Sequence, residues 1–179
     1  MRISPSALAN VVGYQLVWFA CVSGAAAGLA WPGVAASLLF AVATVMLAGR
    51  RGADLRTLAI AVPLGFGLDS ALVASGWLAY SPAGPFDALA PIWIGAIWLS
   101  FALTLNHSLA FLRQQRGLSA LLGLAGGPLA YWSAAKAFGV IEFAQPVLTT
   151  MVVLGLCWAL LLPLVFTLDT HWTPARAQP

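Results

Sequence analysis

The residues from Ile92 to Leu112, IWIGAIWLSFALTLNHSLAFL, are apolar enough to cross a bilayer, yet they carry Asn106, His107 and Ser108 near one end. Arg113 and Arg116 follow at once. A helix in hydrocarbon that keeps such groups must turn at least some of them toward protein or water. The chain therefore reads as a small multi-span membrane protein with a polar interior.

Composition supports this. The 179 residues are 61% hydrophobic and only 7% charged, with a mean hydropathy of +0.93. So few charges could not cover a water-soluble globule, which carries roughly a quarter charged residues. The net charge is +3 and the pI about 9.3. The positive residues sit in short connections between apolar runs, not on one clustered face, so they read as a topology signal and exclude nucleic acid as a partner. Cys21 and Cys157 lie inside apolar runs without a CxxC partner, and read as buried thiols rather than a disulfide.

Hydropathy divides the chain into six spans in one integral-membrane domain covering residues 1–179, at about 7–30, 34–49, 57–79, 92–112, 118–138 and 146–168. Arg2 ahead of an apolar run has the outline of a signal peptide, but the run is long and Gln15 and Trp18 interrupt it, so an uncleaved first span is expected. Gly24 and Gly28 suggest a close helix approach, and Trp31-Pro32-Gly33 reads as a tight turn. Arg50, Arg51, Asp54 and Arg56 read as a charged loop. Trp77, Tyr80, Phe86 and Trp93 flank the proline-rich loop that follows, as an interfacial aromatic belt would.

With six spans both termini share a side. Arg2, Arg50, Arg51, Arg56, Arg113, Arg116 and Arg176 lie on it, and Lys136 alone lies opposite. This places both termini in the cytoplasm and the fold among all-α polytopic bundles of the inner membrane. Lys136 and Glu142 are expected to pair at the outer surface.

Asp69 is the most costly residue. It lies about 12 residues into its span, roughly 18 Å deep, where a carboxylate costs roughly 2.5–3.5 kcal/mol. Gly65, Asp69, Leu72 and Gly76 share one helical stripe, so this face packs on protein. One reading is a proton or cation site, or a catalytic acid or base. The other is a carboxyl that hydrogen-bonds neighbouring helices.

On the fourth span Ser100, Thr104 and His107 share a face, with Ser108 at its margin, while Asn106 points about 100° away. His107 thus reads as facing a polar interior, or as capping free carbonyls, with Asn106 aimed at a different spot. Asp69 and His107 differ in depth by about 10 Å, a spacing that suits a relay better than a dyad. Gln15 sits near the depth of His107 and could join it. One intramembrane histidine without a ligand pair makes a poor metal or haem site, so no cofactor is expected.

Gly126-Gly127-Pro128 breaks the fifth span, because Pro128 cannot donate to the Leu124 carbonyl. It reads either as a broken helix lining a site or as a kink that improves packing. Ser119, Gly123, Gly126, Ala130 and Ser133 form a small-residue stripe that reads as a packing face.

WFACVSGAAAGLAW (18–31), GLDS (67–70), LNHSLAFL (105–112) and GGPLAYW (126–132) resemble a family of small bacterial inner-membrane proteins catalogued only as a domain of unknown function. The resemblance puts Asp69, Asn106, His107 and Gly126–Pro128 in motif positions, with no activity to carry over. It implies a genomic neighbourhood of cyclopropane-fatty-acyl-phospholipid synthase-like methyltransferases and flavin oxidoreductases, and hence a role in lipid modification or envelope stress.

Three functions follow as expectations. An enzyme or accessory subunit acting on phospholipid acyl chains, with Asp69 and His107 as its catalytic pair, would need a cavity open sideways to lipid. A proton-coupled transporter component would use Asp69 and require a homodimer. A scaffold would only bind partner helices, such as those of a membrane enzyme.

Overall fold

The computed structural model describes residues 4–172. Six α-helices account for most of them: α1 (Pro5–Ala26), α2 (Trp31–Leu47), α3 (Arg51–Ala74), α4 (Ile92–Thr104), α5 (Arg116–Ser133) and α6 (Val147–His171). Two three-residue strands, β1 (Leu78–Tyr80) and β2 (Ile141–Phe143), pair antiparallel with Tyr80 opposite Ile141.

Local chemistry sets the helix ends. The Ser4 hydroxyl caps α1 by accepting from the Ala7 N–H at 3.2 Å, with Pro5 in the first turn. Gly28 ends the α1 connection at φ +74°, and the Leu29 N–H reaches back to the Gly24 carbonyl at 2.8 Å. Trp31-Pro32-Gly33 is thus the first turn of α2, not a tight turn, as suits a proline without an N–H.

α4 runs through the middle. It packs on α1, α2 and α3, and its Trp98 stacks on Trp158 of α6 at 4.7 Å. α6 packs on α3 and α5. A wider π-type turn, Ala134–Phe138, carries α5 back to α1, where Phe138 meets Trp18 and Phe19 edge-on. Trp93, Leu103 and Leu105 are among the largest fully buried side chains.

α1, α3 and α6 are long and apolar enough to cross a membrane, and α2 and α4 are apolar but shorter. Leu39 and Leu160 are each 73% exposed, and Leu148 is 78% exposed. Side chains of this kind on apolar helices, three of them long enough to span a bilayer, mark a membrane protein.

The expected fourth span is not one helix. α4 stops at Thr104 after 13 residues, roughly 20 Å, and residues 105–109 form a turn before a short 3-10 segment, Ala110–Gln114. The chain from Arg51 onward is helix rather than loop, so Asp54 and Arg56 belong to α3. Tyr80 and Trp93 are buried and meet edge-on, so they are core residues and not an interfacial belt.

Asn10 near the start of α1 bonds Ser108, and Asp169 near the end of α6 bonds Arg56 and Arg113. The two ends of the described chain therefore meet one face, with Arg50, Arg51, Arg56, Arg113 and Arg116. Arg2 and Arg176 lie outside the described residues. Among those residues the ion pairs join Asp169 to Arg56 and Arg113, His107 lies against Asp54, and Lys136 does not pair with Glu142.

Candidate functional site

Two buried acid centres and one lateral groove hold the polar and cavity-lining residues that the sequence points to.

The first centre is Asp69, 1% exposed. Its Oδ1 accepts from the Tyr80 hydroxyl at 2.5 Å and the Tyr131 hydroxyl at 2.6 Å. Its Oδ2 accepts from the Trp98 indole N–H at 2.6 Å. The donors come from β1, α5 and α4, so one carboxyl ties together three elements besides its own. The strand pair serves this centre by seating Tyr80 within reach. Burial, together with Asp69 beside it, pushes the Tyr80 hydroxyl well above the usual phenol range, which keeps it a donor. Gly65, one turn before Asp69, lets Trp98 lie against α3, since a methyl there would stand 2.1 Å from the indole. The stripe of Gly65, Asp69 and Leu72 is buried as expected, while Gly76 belongs to the turn after α3 at φ +69°. A small cavity of about 50 Å³ adjoins Asp69, walled largely by aromatic rings.

The second centre went unrecognised in the sequence. Asp54 and Asp169 are each fully buried. Asp54 Oδ1 accepts from Asn106 Nδ2 and lies against His107 Nε2, both at 3.1 Å. Asn106 and His107 thus aim at one oxygen, against the expectation of different targets. The physical reason is the end of α4 at Thr104: a turn does not keep the 100° step of a helix. Asn106 also donates to Thr57 at 2.9 Å and accepts from Arg113 at 2.7 Å. Arg113 in turn holds Asp169 at 2.5 Å, and Arg56 holds it at 2.7 Å. The available signal was Asp54 at the start of a helix opposite a run of Asn, His, Ser and Arg.

The two centres are far apart. Asp54 and Asp69 are 15 positions apart on α3, a rise of roughly 22 Å. Ile60 and Ala61 are buried between them. His107 shares none of the cavity at Asp69. The expected relay of about 10 Å is therefore replaced by two centres with an apolar layer between.

The other expected members of a polar interior separate. The Ser100 hydroxyl meets Ser37 of α2 at 2.9 Å. The Thr104 hydroxyl donates to the Phe101 carbonyl, and Ser108 donates to Asn10 at 2.7 Å. Gln15 is exposed and does not bond His107; it lines the groove.

That groove, of about 750 Å³, runs between α1 and α5. Tyr14, Trp18, Phe101, Ala130 and Trp158 line both it and the Asp69 cavity, so they form the partition between the two. The Gly126–Pro128 segment does not break α5, which stays helical through Pro128. Gly155 of α6 sits so close that a methyl on it would be 2.9 Å from the Leu124 carbonyl oxygen, so α6 covers the carbonyl that Pro128 frees. The small residues divide between two faces. Gly123 and Gly127 pack on Trp158, whereas Gly126, Ala130 and Ser133 line the groove, with Gly127 at its margin.

The family model for a protein of unknown function, DUF2878, matches residues 7–164. The chain belongs to the DUF2878 family. The DUF2878 match takes in Asp69, Asp54, Asn106, His107 and the whole groove, and stops short of Asp169. No curated protein and no solved structure matches the chain. Among the described residues no group of three or more His, Cys, Asp or Glu is placed to hold a metal ion.

Proposed function

We propose that this DUF2878 protein is a six-pass inner-membrane protein, a single domain with both termini cytoplasmic, that holds a phospholipid acyl chain as an accessory subunit of an acyl-chain-modifying enzyme. The groove between α1 and α5 carries this reading. It has the size of a small-molecule site and an overwhelmingly apolar lining. One of its walls is α1, a helix suited to crossing the bilayer, so its mouth opens toward hydrocarbon.

An accessory role suits the acid centres better than catalysis by Asp69 and His107. Both Asp69 oxygens already accept hydrogen bonds, and His107 is engaged with Asp54. Such groups hold elements in place and present a bound chain to a partner. Proton-coupled transport draws less support, because Ile60 and Ala61 interrupt any polar path from the arginine-rich face to Asp69. The arginine-rich face supports the cytoplasmic placement of the termini.

The test is native mass spectrometry of the protein extracted in lipid discs, paired with fatty-acid profiling of a deletion strain. Co-purified phospholipid and an altered acyl profile are the expected results. Protein without retained lipid, with an unchanged profile under envelope stress, would overturn the reading.

A further inference from the structure

Asp69 has acceptor capacity to spare. Its Oδ1 takes two hydrogen bonds, from Tyr80 and Tyr131, and its Oδ2 takes one, from Trp98. A carboxylate has about four acceptor positions, so one on Oδ2 is left over. The cavity of about 50 Å³ beside it has the opposite deficit. Two of the rings that wall it, Trp93 and Trp158, carry buried indole N–H groups with no hydrogen-bond partner among the described residues. Each ring lies against one of the tyrosines that hold the acid. Trp93 meets Tyr80 with ring centres 5.6 Å apart, and Trp158 meets Tyr131 at 6.5 Å. The Trp158 N–H lies near the Tyr131 hydroxyl but out of line for a bond. An indole N–H only donates, so its burial without an acceptor is costly. Trp93 is 1% exposed, so bulk solvent does not supply one.

We infer that this cavity is a binding site for a hydroxylic ligand, whose oxygen accepts from the Trp93 and Trp158 indoles and whose O–H donates to Asp69 Oδ2. A hydroxyl answers both deficits with one group. A cation offers the indoles no acceptor, and an anion would meet the carboxylate at close range in a low dielectric. Two sources share the chemistry. One is water, for which the cavity has room for roughly three molecules at about 15 Å³ each. The other is the alcohol group of an amphiphile entering from the groove, past the residues that border both spaces, Tyr14, Trp18, Phe101, Ala130 and Trp158. The site needs no acyl chain in the groove.

The experiment is proton nuclear Overhauser spectroscopy of the full chain, with its tryptophan indoles labelled by nitrogen-15, in discs of deuterated phosphatidylethanolamine with and without protonated hexadecanol. The indole resonances are assigned by Trp93→Phe and Trp158→Phe. Without the alcohol, cross-peaks at the water frequency are expected on the Trp93 and Trp158 N–H. If they persist when hexadecanol is added, the ligand is water. If cross-peaks to the carbinol protons replace them, the site prefers the alcohol. Both outcomes support a hydroxylic site. Ala134→Leu, which places a larger side chain in a buried wall of the cavity, should abolish the cross-peaks on both indoles. The wild-type spectra decide the matter alone if that variant misfolds. Absence of water and carbinol cross-peaks from both indoles would overturn the site. So would contacts to the chain methylenes of hexadecanol alone, which would make the cavity an apolar extension of the groove and leave the acyl-chain reading standing.

Discussion

His107 Nε2 lies 3.1 Å from Oδ1 of Asp54, a buried acid 53 positions earlier in the chain. An ionised carboxylate only accepts, so Nε2 donates. Removing the acid leaves His107 without its partner and takes one acceptor from Asn106, which keeps Thr57 and Arg113. Asp54→Ala is expected to cost about 3–5 kcal/mol, as for breaking a buried pair. His107→Ala should cost less, because Asn106 still reaches the same oxygen. A double-mutant cycle by denaturation in mixed micelles should show coupling of about 0.5–3 kcal/mol. Strict additivity would refute the pairing.

Asp69 should behave as a structural hub. Asp69→Leu leaves three buried donors, on Tyr80, Trp98 and Tyr131, without their acceptor. Each orphan costs about 1–3 kcal/mol. Tyr131→Phe removes one donor and leaves the acceptor two others, so its cost should be much smaller. Thermal unfolding, read by tryptophan fluorescence because Trp98 reports directly, should rank Asp69→Leu far below Tyr131→Phe. Equal losses would show that the carboxyl is not shared.

Neighbouring glycines of α5 should respond in opposite directions. A methyl on Gly127 would meet Trp158 Cγ at 2.4 Å, whereas Gly126 opens to the groove. Gly127→Ala should destabilise by about 1–3 kcal/mol through overpacking. Gly126→Ala should be neutral or stabilise by about 0.5–1 kcal/mol, the usual gain from replacing a helical glycine. If both lose stability alike, α6 does not approach α5 as described.

Arg113 uses two nitrogens on two partners, NH1 on Asp169 and NH2 on Asn106. Lysine carries the charge but cannot span both. Arg113→Lys should therefore loosen the end of α6 almost as much as Arg113→Ala does. Hydrogen exchange across 160–171 is the measurement, and full rescue by lysine would count against the fork.

Much of the helical layout was legible, because apolar runs in lipid leave the backbone little alternative to a helix. Asp69 was also legible as a buried group, since an acid this deep in an apolar helix, one turn from Gly65, is costly anywhere but against protein. What failed depended on partners distant in sequence. Asp54 looked like part of a charged loop because its partners, Asn106 and His107, lie some fifty residues later. The LNHS segment read as helix because hydropathy does not register that Asn and Ser favour turns, which closed α4 early. Pro128 looked like a break because the residue that covers the freed carbonyl, Gly155, is on another helix. The strands LAY and IEF were too short to carry any periodicity.

The three donors to Asp69 all come later in the chain: Tyr80 by 11 positions, Trp98 by 29 and Tyr131 by 62. During synthesis α3 emerges with its acid while the last of these is still untranslated. At roughly 5–20 residues per second that interval is about 3–12 s. For those seconds the nascent chain must shelter an acid whose set of donors is incomplete, so α3 has reason to linger in the insertion machinery until α5 arrives.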